Sequence, residues 1–246
     1  MTKISAGSFD LNKWLFGGYE EDIITMIAGP PGSGKTNFVI LAACSQAKKG
    51  NKVLFVDTEG GFSVDRVKQI VGEEYEKYLD NFIMIEPTKF EEQKKLFNEL
   101  LSKMKKENIS LIVIDGISML YRLETGDSSE DENKDKKKDE NKFRSVNKEM
   151  ARQMRVLAEI SRKKKIPILI TNQTYFSFLC EEDWRKGVKR EMNIVGGDLF
   201  KYWSKCIIQL SNEKGRRKAF LLKHRSLPQK EMSFEIRDKG IFKRGW

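Results

Sequence analysis

Eight residues near the start of the chain constrain its fold more than any other segment. Residues 29–36 have the sequence GPPGSGKT and match the pattern GxxxxGK(S/T). They follow the apolar run 23–28 and precede a segment with helical spacing, from Thr36 to about Lys48. A strand, a glycine-rich loop and a helix in this order predict the phosphate-binding loop of an α/β protein, because the loop amides and the helix N-terminus both attract an anion.

The residue types of this loop suit nucleotide phosphates. Its glycines allow backbone N–H groups to turn toward phosphate oxygens. We expect Lys35 to reach the β- and γ-phosphates and Thr36 to bind Mg²⁺ through its hydroxyl group. The loop therefore predicts a nucleoside triphosphate and Mg²⁺ as cofactors, and the family resemblance given below implies that the nucleotide is ATP. The predicted phosphate-binding residues are Gly29, Pro30, Pro31, Gly32, Ser33, Gly34, Lys35 and Thr36.

Two carboxylates follow apolar runs that resemble strands. Asp115 ends the run LIVID, and P-loop proteins place an aspartate that supports the metal at such a position. Glu59 follows the run 53–56 in VDTEGGF and could polarise an attacking water as a general base. On the residues alone, Glu59 could equally be a turn or helix-capping acid. Asp115 is the more specific prediction, as the metal-site partner of Thr36.

Five apolar runs rich in β-branched residues alternate with amphipathic segments: 23–28, 53–56, 82–85, 111–114 and 166–171. Strands that alternate with helices predict a mainly parallel sheet flanked by helices. From Lys205 onward the pattern changes to strand, turn and strand, which predicts a C-terminal antiparallel extension. A length of 246 residues suits one α/β domain over residues 1–246.

One charged segment interrupts this pattern. Residues 127–142 contain 7 acidic and 5 basic residues and no apolar side chain. Such a segment cannot bury apolar surface to offset its chain entropy, so we expect a mobile charged insert over about 124–145. The residues leave open whether the insert has a function or is a solvated linker.

The positive charge is concentrated near the C-terminus. Residues 184–246 contain 17 Lys and Arg against 6 Asp and Glu, whereas residues 1–183 contain 29 against 30. A local surplus of this kind attracts polyanions through counterion release, which predicts a nucleic-acid partner. A solvated lysine-rich surface is equally compatible with the charge alone.

Other features indicate the compartment. No apolar run approaches the roughly 18 residues that span a bilayer, and the N-terminus has no apolar signal segment, so we expect a cytoplasmic protein without a membrane partner. The three cysteines, Cys44, Cys180 and Cys206, have no CxxC spacing. Buried reduced thiols are favoured over a disulfide framework or a zinc site.

Five segments in order resemble one known family. They are GPPGSGKT, VDTEGGF, LIVIDGISMLYR, ILITNQ and NIVGGDLFKYWSKCIIQL. Together they look like the ATPase core of RecA-type recombinases, most closely the archaeal RadA group and its short paralogue RadB, over about residues 8–240. The opening SFDLNKWLFGGYEEDIITMIAG resembles the beginning of that core. The resemblance therefore implies that the N-terminal helical DNA-binding domain and the upstream polymerisation segment are missing.

The resemblance implies roles for individual residues. Gln173, in ITNQ, matches the glutamine that senses the γ-phosphate and signals to a DNA-binding loop. Arg66 matches an arginine that stacks on adenine. The implied catalytic residues are Glu59, Lys35 and Gln173, and the implied metal-site residues are Thr36 and Asp115.

Two segments resemble the DNA-binding loops of the family. The segment after Arg122 matches the first loop, and residues 174–197 match the second. The second segment is basic and aromatic, which suits phosphate contacts with base stacking, although packing of the aromatic rings is an alternative. Single-stranded DNA is the predicted partner, and double-stranded DNA stays an open alternative. The predicted DNA-binding residues are Arg122, Tyr175, Phe176, Arg185, Lys186, Lys189 and Arg190.

Two features depart from the family pattern. Tyr202 stands where many members have a histidine that senses the γ-phosphate, and residues 223–228 lack the acidic ATP cap. Both argue against ATP sensing across subunits. His224, the single histidine, lies in the second stretch near the expected nucleotide edge, where a structural role is favoured over a nucleotide contact.

Two classes of function follow. One is a mediator or regulator that binds ATP and DNA, acts on the main RadA-type recombinase and hydrolyses ATP weakly. The other is a DNA-dependent ATPase that catalyses strand exchange itself. The missing upstream segments favour the first, and a homo-oligomer is compatible with both. A more distant alternative is a RecA-fold signalling ATPase, which DNA binding would distinguish from the others.

Overall fold

The computed structural model describes residues 2–106, 108–126, 136–177 and 192–245. These residues contain twelve strands and eight helices. The strands are β1 (Lys3–Ile4), β2 (Tyr19–Glu20), β3 (Ile24–Gly29), β4 (Lys52–Asp57), β5 (Phe82–Ile85), β6 (Ile109–Asp115), β7 (Ile168–Phe176), β8 (Met192–Ile194), β9 (Cys206–Glu213), β10 (Arg216–Lys223), β11 (Lys230–Arg237) and β12 (Gly240–Lys243). The helices are α1 (Phe9–Trp14), α2 (Lys35–Ala47), α3 (Val64–Val71), α4 (Tyr75–Leu79), α5 (Phe90–Lys106), α6 (Met119–Thr125), α7 (Lys136–Lys164) and α8 (Asp198–Trp203).

One large sheet confirms the predicted fold class. Its strand order is β12-β11-β10-β9-β3-β7-β6-β4-β5, with β8 paired to the end of β7. Six neighbouring strands of this sheet are parallel, in the order β9-β3-β7-β6-β4-β5. The strands β9, β10, β11 and β12 pair antiparallel, each with the next. The five predicted parallel strands, β3 to β7, and the antiparallel C-terminal extension are therefore present. The short strands β1 and β2 form a separate antiparallel pair.

The register of the parallel strands sets the position of the site. Gly29 at the end of β3 pairs with Gln173 on β7, and Asp57 pairs with Asp115 at the ends of β4 and β6. Parallel strands place their carboxyl ends at one edge of the sheet, and open α/β sheets bind ligands there. Polar side chains that are far apart in sequence therefore meet at this edge.

Apolar clusters cover both faces of the sheet. Helix α2 packs on one face with Phe38, Leu41 and other buried residues, which also contact β10 and β11. Helices α5, α6 and α7 pack on the other face, around Phe97, Met150 and Met154. Each face buries a separate apolar layer, so the central strands are apolar on both sides.

The expectation of a loop over residues 127–142 is wrong for residues 136–142. These residues form the first turns of α7, which begins at Lys136. The later part of the helix buries Val146, Met150 and Met154, and adding turns to an existing helix needs little further stabilisation. Residues 127–135 lie outside the described residues.

Two of the cysteines are buried, as expected. Cys44 and Cys206 are free thiols, and burial raises the pKa of each to about 12. Cys180 lies outside the described residues. Among the helices that the structure describes, none combines the length and apolar character needed to cross a bilayer.

Candidate nucleotide site

The loop between β3 and α2 is shaped by two glycines. Gly34 has φ +104° and leads directly into α2, where a Cβ would approach Ile236 Cδ1 to 2.8 Å. A Cβ on Gly29 would approach Ser33 Oγ to 2.6 Å. Both positions therefore require glycine, and the first turn of α2 offers amides that have no partner within the helix. This geometry is that of an anion-binding loop.

Lys35 lies over this loop. Its ammonium group donates a hydrogen bond to the carbonyl of Pro30 at 3.2 Å, and the residue is buried. Burial lowers the pKa of Lys35, and the nearby carboxylates of Glu59 and Asp115 partly oppose that effect. A cation with so little water around it can interact strongly with a phosphate.

Asp115 is the most buried carboxylate of the site. Its Oδ1 accepts a hydrogen bond from Thr171 Oγ1 at 2.5 Å, while Oδ2 is buried and accepts no hydrogen bond of normal geometry from the described residues. Burial raises the pKa of Asp115 to about 6, although the hydroxyl groups of Thr171 and Thr36 oppose the shift. The charges of Asp57 and Glu59 raise that pKa further.

These residues fit Mg²⁺ bound together with a nucleotide. Asp115 Oδ2 is buried and has no hydrogen bond of normal geometry from the described residues, and the Thr36 hydroxyl is close enough to Asp115 to lower its pKa. Both oxygens face Gly61, where a Cβ would be 3.4 Å from Thr36 Oγ1 and 3.6 Å from Asp115 Oδ2. The described residues contain no group of three or more His, Cys, Asp or Glu side chains that could bind a metal ion alone. A magnesium ion here would therefore take other ligands from phosphates and water, as it commonly does.

The turn after β4 carries Glu59 and is organised by Asp57. Asp57 Oδ1 accepts hydrogen bonds from the backbone N–H groups of Glu59 at 3.1 Å and Gly60 at 2.9 Å. Its Oδ2 accepts one from the N–H of Phe62 at 2.8 Å. The turn is therefore fixed to the end of β4, which holds Glu59 at the edge of the phosphate loop.

Gln173 connects Glu59 to helix α6. Its Nε2 donates to Glu59 Oε1 at 3.1 Å, and its Oε1 accepts a hydrogen bond from Arg122 Nη1 at 3.1 Å. The two contacts assign the orientation of the Gln173 amide. The structure thus brings together Lys35, Thr36, Asp115, Glu59, Gln173 and Arg122.

Sequence reasoning missed Asp57 and Thr171. Thr171 Oγ1 donates to Asp115 and accepts a hydrogen bond from the N–H of Gly116 at 2.7 Å, so it positions the end of β6. Both residues are polar side chains at the carboxyl ends of apolar runs, in VDT and LIT. That signal was present in the sequence, but only the strand register shows which ends are neighbours.

Arg66 is held by protein groups. Its Nε donates to Asn37 Oδ1 at 2.7 Å and its Nη1 to Gln69 Oε1 at 2.7 Å. Its guanidinium also donates to the carbonyls of Arg237 at 2.9 Å and Asp238 at 3.1 Å. Arg66 therefore ties α3 to α2 and to the turn between β11 and β12, and its adenine contact stays a prediction.

The predicted DNA-binding residues are only partly described. Tyr175 and Phe176 follow Gln173 on β7 and are 55% and 49% exposed. They pair with β8 through Asn193 and Met192. Arg122 contacts Gln173, as described above. The remaining predicted residues, Arg185, Lys186, Lys189 and Arg190, lie outside the described residues.

The expectation that His224 lies near the nucleotide edge is wrong. Strand β10 runs antiparallel to β9 and β3, so it ends at the opposite end of the sheet from the phosphate loop. There His224 Nδ1 accepts hydrogen bonds from the N–H groups of Ser226 at 3.1 Å and Leu227 at 3.2 Å, and its Nε2 lies 3.8 Å from Glu20 Oε1. His224 is therefore a structural residue of a turn, and its side chain is buried.

The fold and the site together define a class of protein. The phosphate loop follows an inner strand of a mainly parallel sheet, and Asp115 and Glu59 lie at the same edge. Antiparallel strands extend the sheet beyond it. This arrangement defines a P-loop nucleotide-binding core of the RecA type. A family model described as Rad51 matches residues 1–244. The chain belongs to the Rad51 family.

Several relatives are similar over nearly their whole length. The DNA repair and recombination protein RadB of Methanobrevibacter smithii is 39% identical over 236 residues, which are 94% of this chain and 92% of the relative. RadB of Methanocaldococcus jannaschii is 36% identical over 231 residues, which are 94% of this chain and 98% of that protein. A crystal structure of the RadB recombinase has a TM-score of 0.73 and 30% identity, and the match covers 97% of this chain and 98% of that one.

Proposed function

We propose that this chain is an ATP- and DNA-binding protein of homologous recombination and DNA repair. In this proposal it acts as a mediator or regulator of a RadA-type recombinase and hydrolyses ATP weakly. The observation that carries the proposal is the meeting of the phosphate loop with Asp115, Glu59 and Gln173 at one edge of the sheet. The names of the RadB relatives, DNA repair and recombination proteins, support the biological process.

Each residue has a proposed task in the nucleotide site. Lys35 binds phosphate oxygens, and Thr36 and Asp115 hold Mg²⁺. The ion, when bound, supplies positive charge at the phosphate oxygens. Glu59 orients a water molecule and accepts its proton, which is the task of a general base.

Weak hydrolysis is supported by the side chain at position 202. Tyr202 stands where the resemblance places a phosphate-sensing histidine, and it is 68% exposed at the end of α8. A tyrosine cannot provide the imidazolium charge that histidine provides near neutral pH. Stabilisation of the transferred phosphate from that position is therefore weaker in this chain.

One observation favours the alternative of a DNA-dependent ATPase that performs strand exchange. Arg122, at the end of α6 that leads to the first DNA-loop segment, contacts Gln173, which contacts Glu59. A strand of DNA that bound Arg122 could therefore change the position of Gln173 and the activity of Glu59. Single-stranded DNA is the proposed ligand in both functions.

One set of measurements separates these functions. ATP turnover is measured with and without single-stranded DNA, and strand exchange is measured for this protein alone and for a RadA-type recombinase in its presence. A mediator has low turnover and changes strand exchange by the recombinase. Strong stimulation by DNA together with strand exchange by the chain alone would establish the alternative. Failure to bind DNA would leave a nucleotide-dependent signalling protein.

A further inference from the structure

A pocket of about 460 Å³ lies on the outer side of α7, away from the nucleotide site. It lies between helices α5, α7 and α8, and none of the nucleotide-site residues lines it. We refer to it as the α7 pocket. The residues that matter for its chemistry are Lys94, Lys148, Glu149, Arg152, Arg155 and Trp203.

The helical repeat of α7 produces one wall of the pocket. Lys148, Arg152 and Arg155 are spaced by four and three residues, so they lie along one side of the helix. Met150 and Met154 face the core on the other side. Trp203 at the end of α8 forms an aromatic wall, and it is partly buried against the same core layer. A row of cations therefore faces an aromatic ring.

The charges of the α7 pocket are unequally compensated. Arg152 donates two hydrogen bonds to Glu149, at 2.8 and 2.7 Å, and Gln153 donates a third at 3.1 Å. Burial raises the pKa of Glu149, but these hydrogen bonds outweigh it and the pKa is lowered overall. Glu149 therefore stays ionised and neutralises Arg152, so Arg152 contributes little net charge to the pocket.

Lys148 and Arg155 have no acidic side chain of the described residues in direct contact, although the charge of Arg155 helps Lys163 to lower the pKa of Glu159 further along the helix. Both are exposed, and neither makes a hydrogen bond or ion pair within the part of the chain that the structure describes. They are seven residues apart, which is roughly 10 Å along a helix. Lys94, from α5, adds a third positive group and has Glu91 at 3.5 Å. The rim is cationic, while the centre is neutral and partly aromatic.

We propose that the α7 pocket binds an acidic peptide segment of a protein partner. One apolar side chain of the peptide packs against Trp203, and carboxylates on either side of it pair with Lys148 and Arg155. Charge complementarity selects this occupant, and tryptophan and arginine are the side chains that most often dominate such interfaces. A nucleic-acid strand fits less well, because the pocket offers two exposed cations roughly 10 Å apart beside one aromatic ring, whereas a single strand needs a continuous basic groove along its backbone.

The test uses the full chain and two short fluorescent peptides. One consists of aspartates and glutamates around a central Trp-Leu pair, and the other has the amides Asn and Gln in place of every acid. Fluorescence anisotropy is expected to show binding of the acidic peptide and much weaker binding of the amide peptide. The double variant with Lys148→Glu and Arg155→Glu is expected to bind the acidic peptide at least about tenfold more weakly. Trp203→Ala is expected to weaken binding of that peptide by at least about tenfold.

Matched controls distinguish the pocket from general charge. Lys49→Glu together with Lys164→Glu changes the net charge equally at exposed positions outside the pocket, and should leave peptide affinity nearly unchanged. Trp203→Phe keeps an aromatic wall and should restore most of the binding, and thermal melting of each variant checks the fold. Equal loss in the control pair, equal binding of the amide peptide, or unchanged affinity in the pocket variants would each overturn the proposal. So would a single-stranded oligonucleotide that displaces the peptide and loses affinity in the same variants, since the pocket would then bind nucleic acid.

Discussion

The side-chain amide of Gln173 donates a hydrogen bond to the carboxylate of Glu59, with 3.1 Å between Nε2 and Oε1. This contact joins the end of β7, which leads into the second DNA-loop segment, to the turn that carries the proposed general base. Arg122 holds the other end of the same amide at 3.1 Å. Both predicted DNA-loop segments therefore begin within two side-chain contacts of Glu59.

Replacement of Lys35 by alanine should remove most of the affinity for ATP. The buried ammonium group lies over the phosphate loop, and a methyl group cannot replace its charge. We expect binding to weaken by about a hundredfold or more in isothermal calorimetry, with a melting temperature close to that of the parent. Equal affinity in the two proteins would remove the phosphate-site assignment.

Replacement of Glu59 by glutamine should affect turnover and leave ATP affinity nearly unchanged. A general base acts on the water in the transition state, so hydrolysis should fall by about 10²-fold or more. Glu86→Gln, an exposed acid at another strand end, is the matched control and should keep parental turnover. Hydrolysis that persists in Glu59→Gln would place the base elsewhere.

Loss of the basic residues of the second loop segment should weaken DNA binding across sequences. Replacing Arg185, Lys186, Lys189 and Arg190 with serine should reduce the slope of log K against log salt by roughly two to three, because each lost contact to a single strand removes about 0.7. The control variant replaces four exposed lysines elsewhere with serine, which removes the same charge: Lys13, Lys49, Lys77 and Lys239. If the two fourfold variants behave alike, the loop is not the DNA site.

Replacement of Asp115 by asparagine should stabilise the nucleotide-free protein at neutral pH. The pKa of this carboxyl is about 6 in the fold and lower in the unfolded chain, so the folded state binds the proton more tightly. Ionisation of Asp115 therefore destabilises the fold, increasingly from about pH 4 to pH 6 and fully above pH 6. The free energy of unfolding falls by at most about 3 kcal/mol. Thermal melting across this range should show the advantage of Asp115→Asn growing with pH, while Mg²⁺-dependent ATP binding is lost. An advantage independent of pH would contradict the assigned cause.

Arg66→Ala should destabilise the fold, because it removes the contacts that join α3 to α2 and to the β11–β12 turn. A loss of about 1–3 kcal/mol in the free energy of unfolding is expected from urea denaturation. The adenine contact predicts a separate effect, which is weaker binding of ATP with unchanged binding of inorganic tripolyphosphate at a temperature where the variant is folded. Equally weakened binding of ATP and tripolyphosphate would indicate that Arg66 acts only through the fold.

Much of the fold and part of the site follow from the sequence. The strands β3 to β7 and β9 to β11 and the phosphate loop are encoded by local patterns, namely apolar runs, glycines at fixed positions and helical spacing after Lys35, so the sequence predicts them. The short strands β1, β2, β8 and β12 are not predicted, and β7 extends to Phe176, beyond its predicted end at Thr171. Asp115 and Glu59 were also recognised, because each ends or follows an apolar run. These features depend on residues that are near each other in the chain.

Only the tertiary structure decided which of these ends are neighbours. The contact of Gln173 with Glu59 spans 114 residues and depends on the strand order and register, which no local pattern encodes. The position of His224 was predicted wrongly because it depends on the direction of β10. The helix over residues 136–142 was missed because the packing of residues further along α7 favours extension of that helix. The sequence by itself determined the chemistry available at the phosphate loop. Long-range packing determined which other side chains lie beside that loop, because hydrogen bonds and ion pairs require proximity that only the folded chain provides.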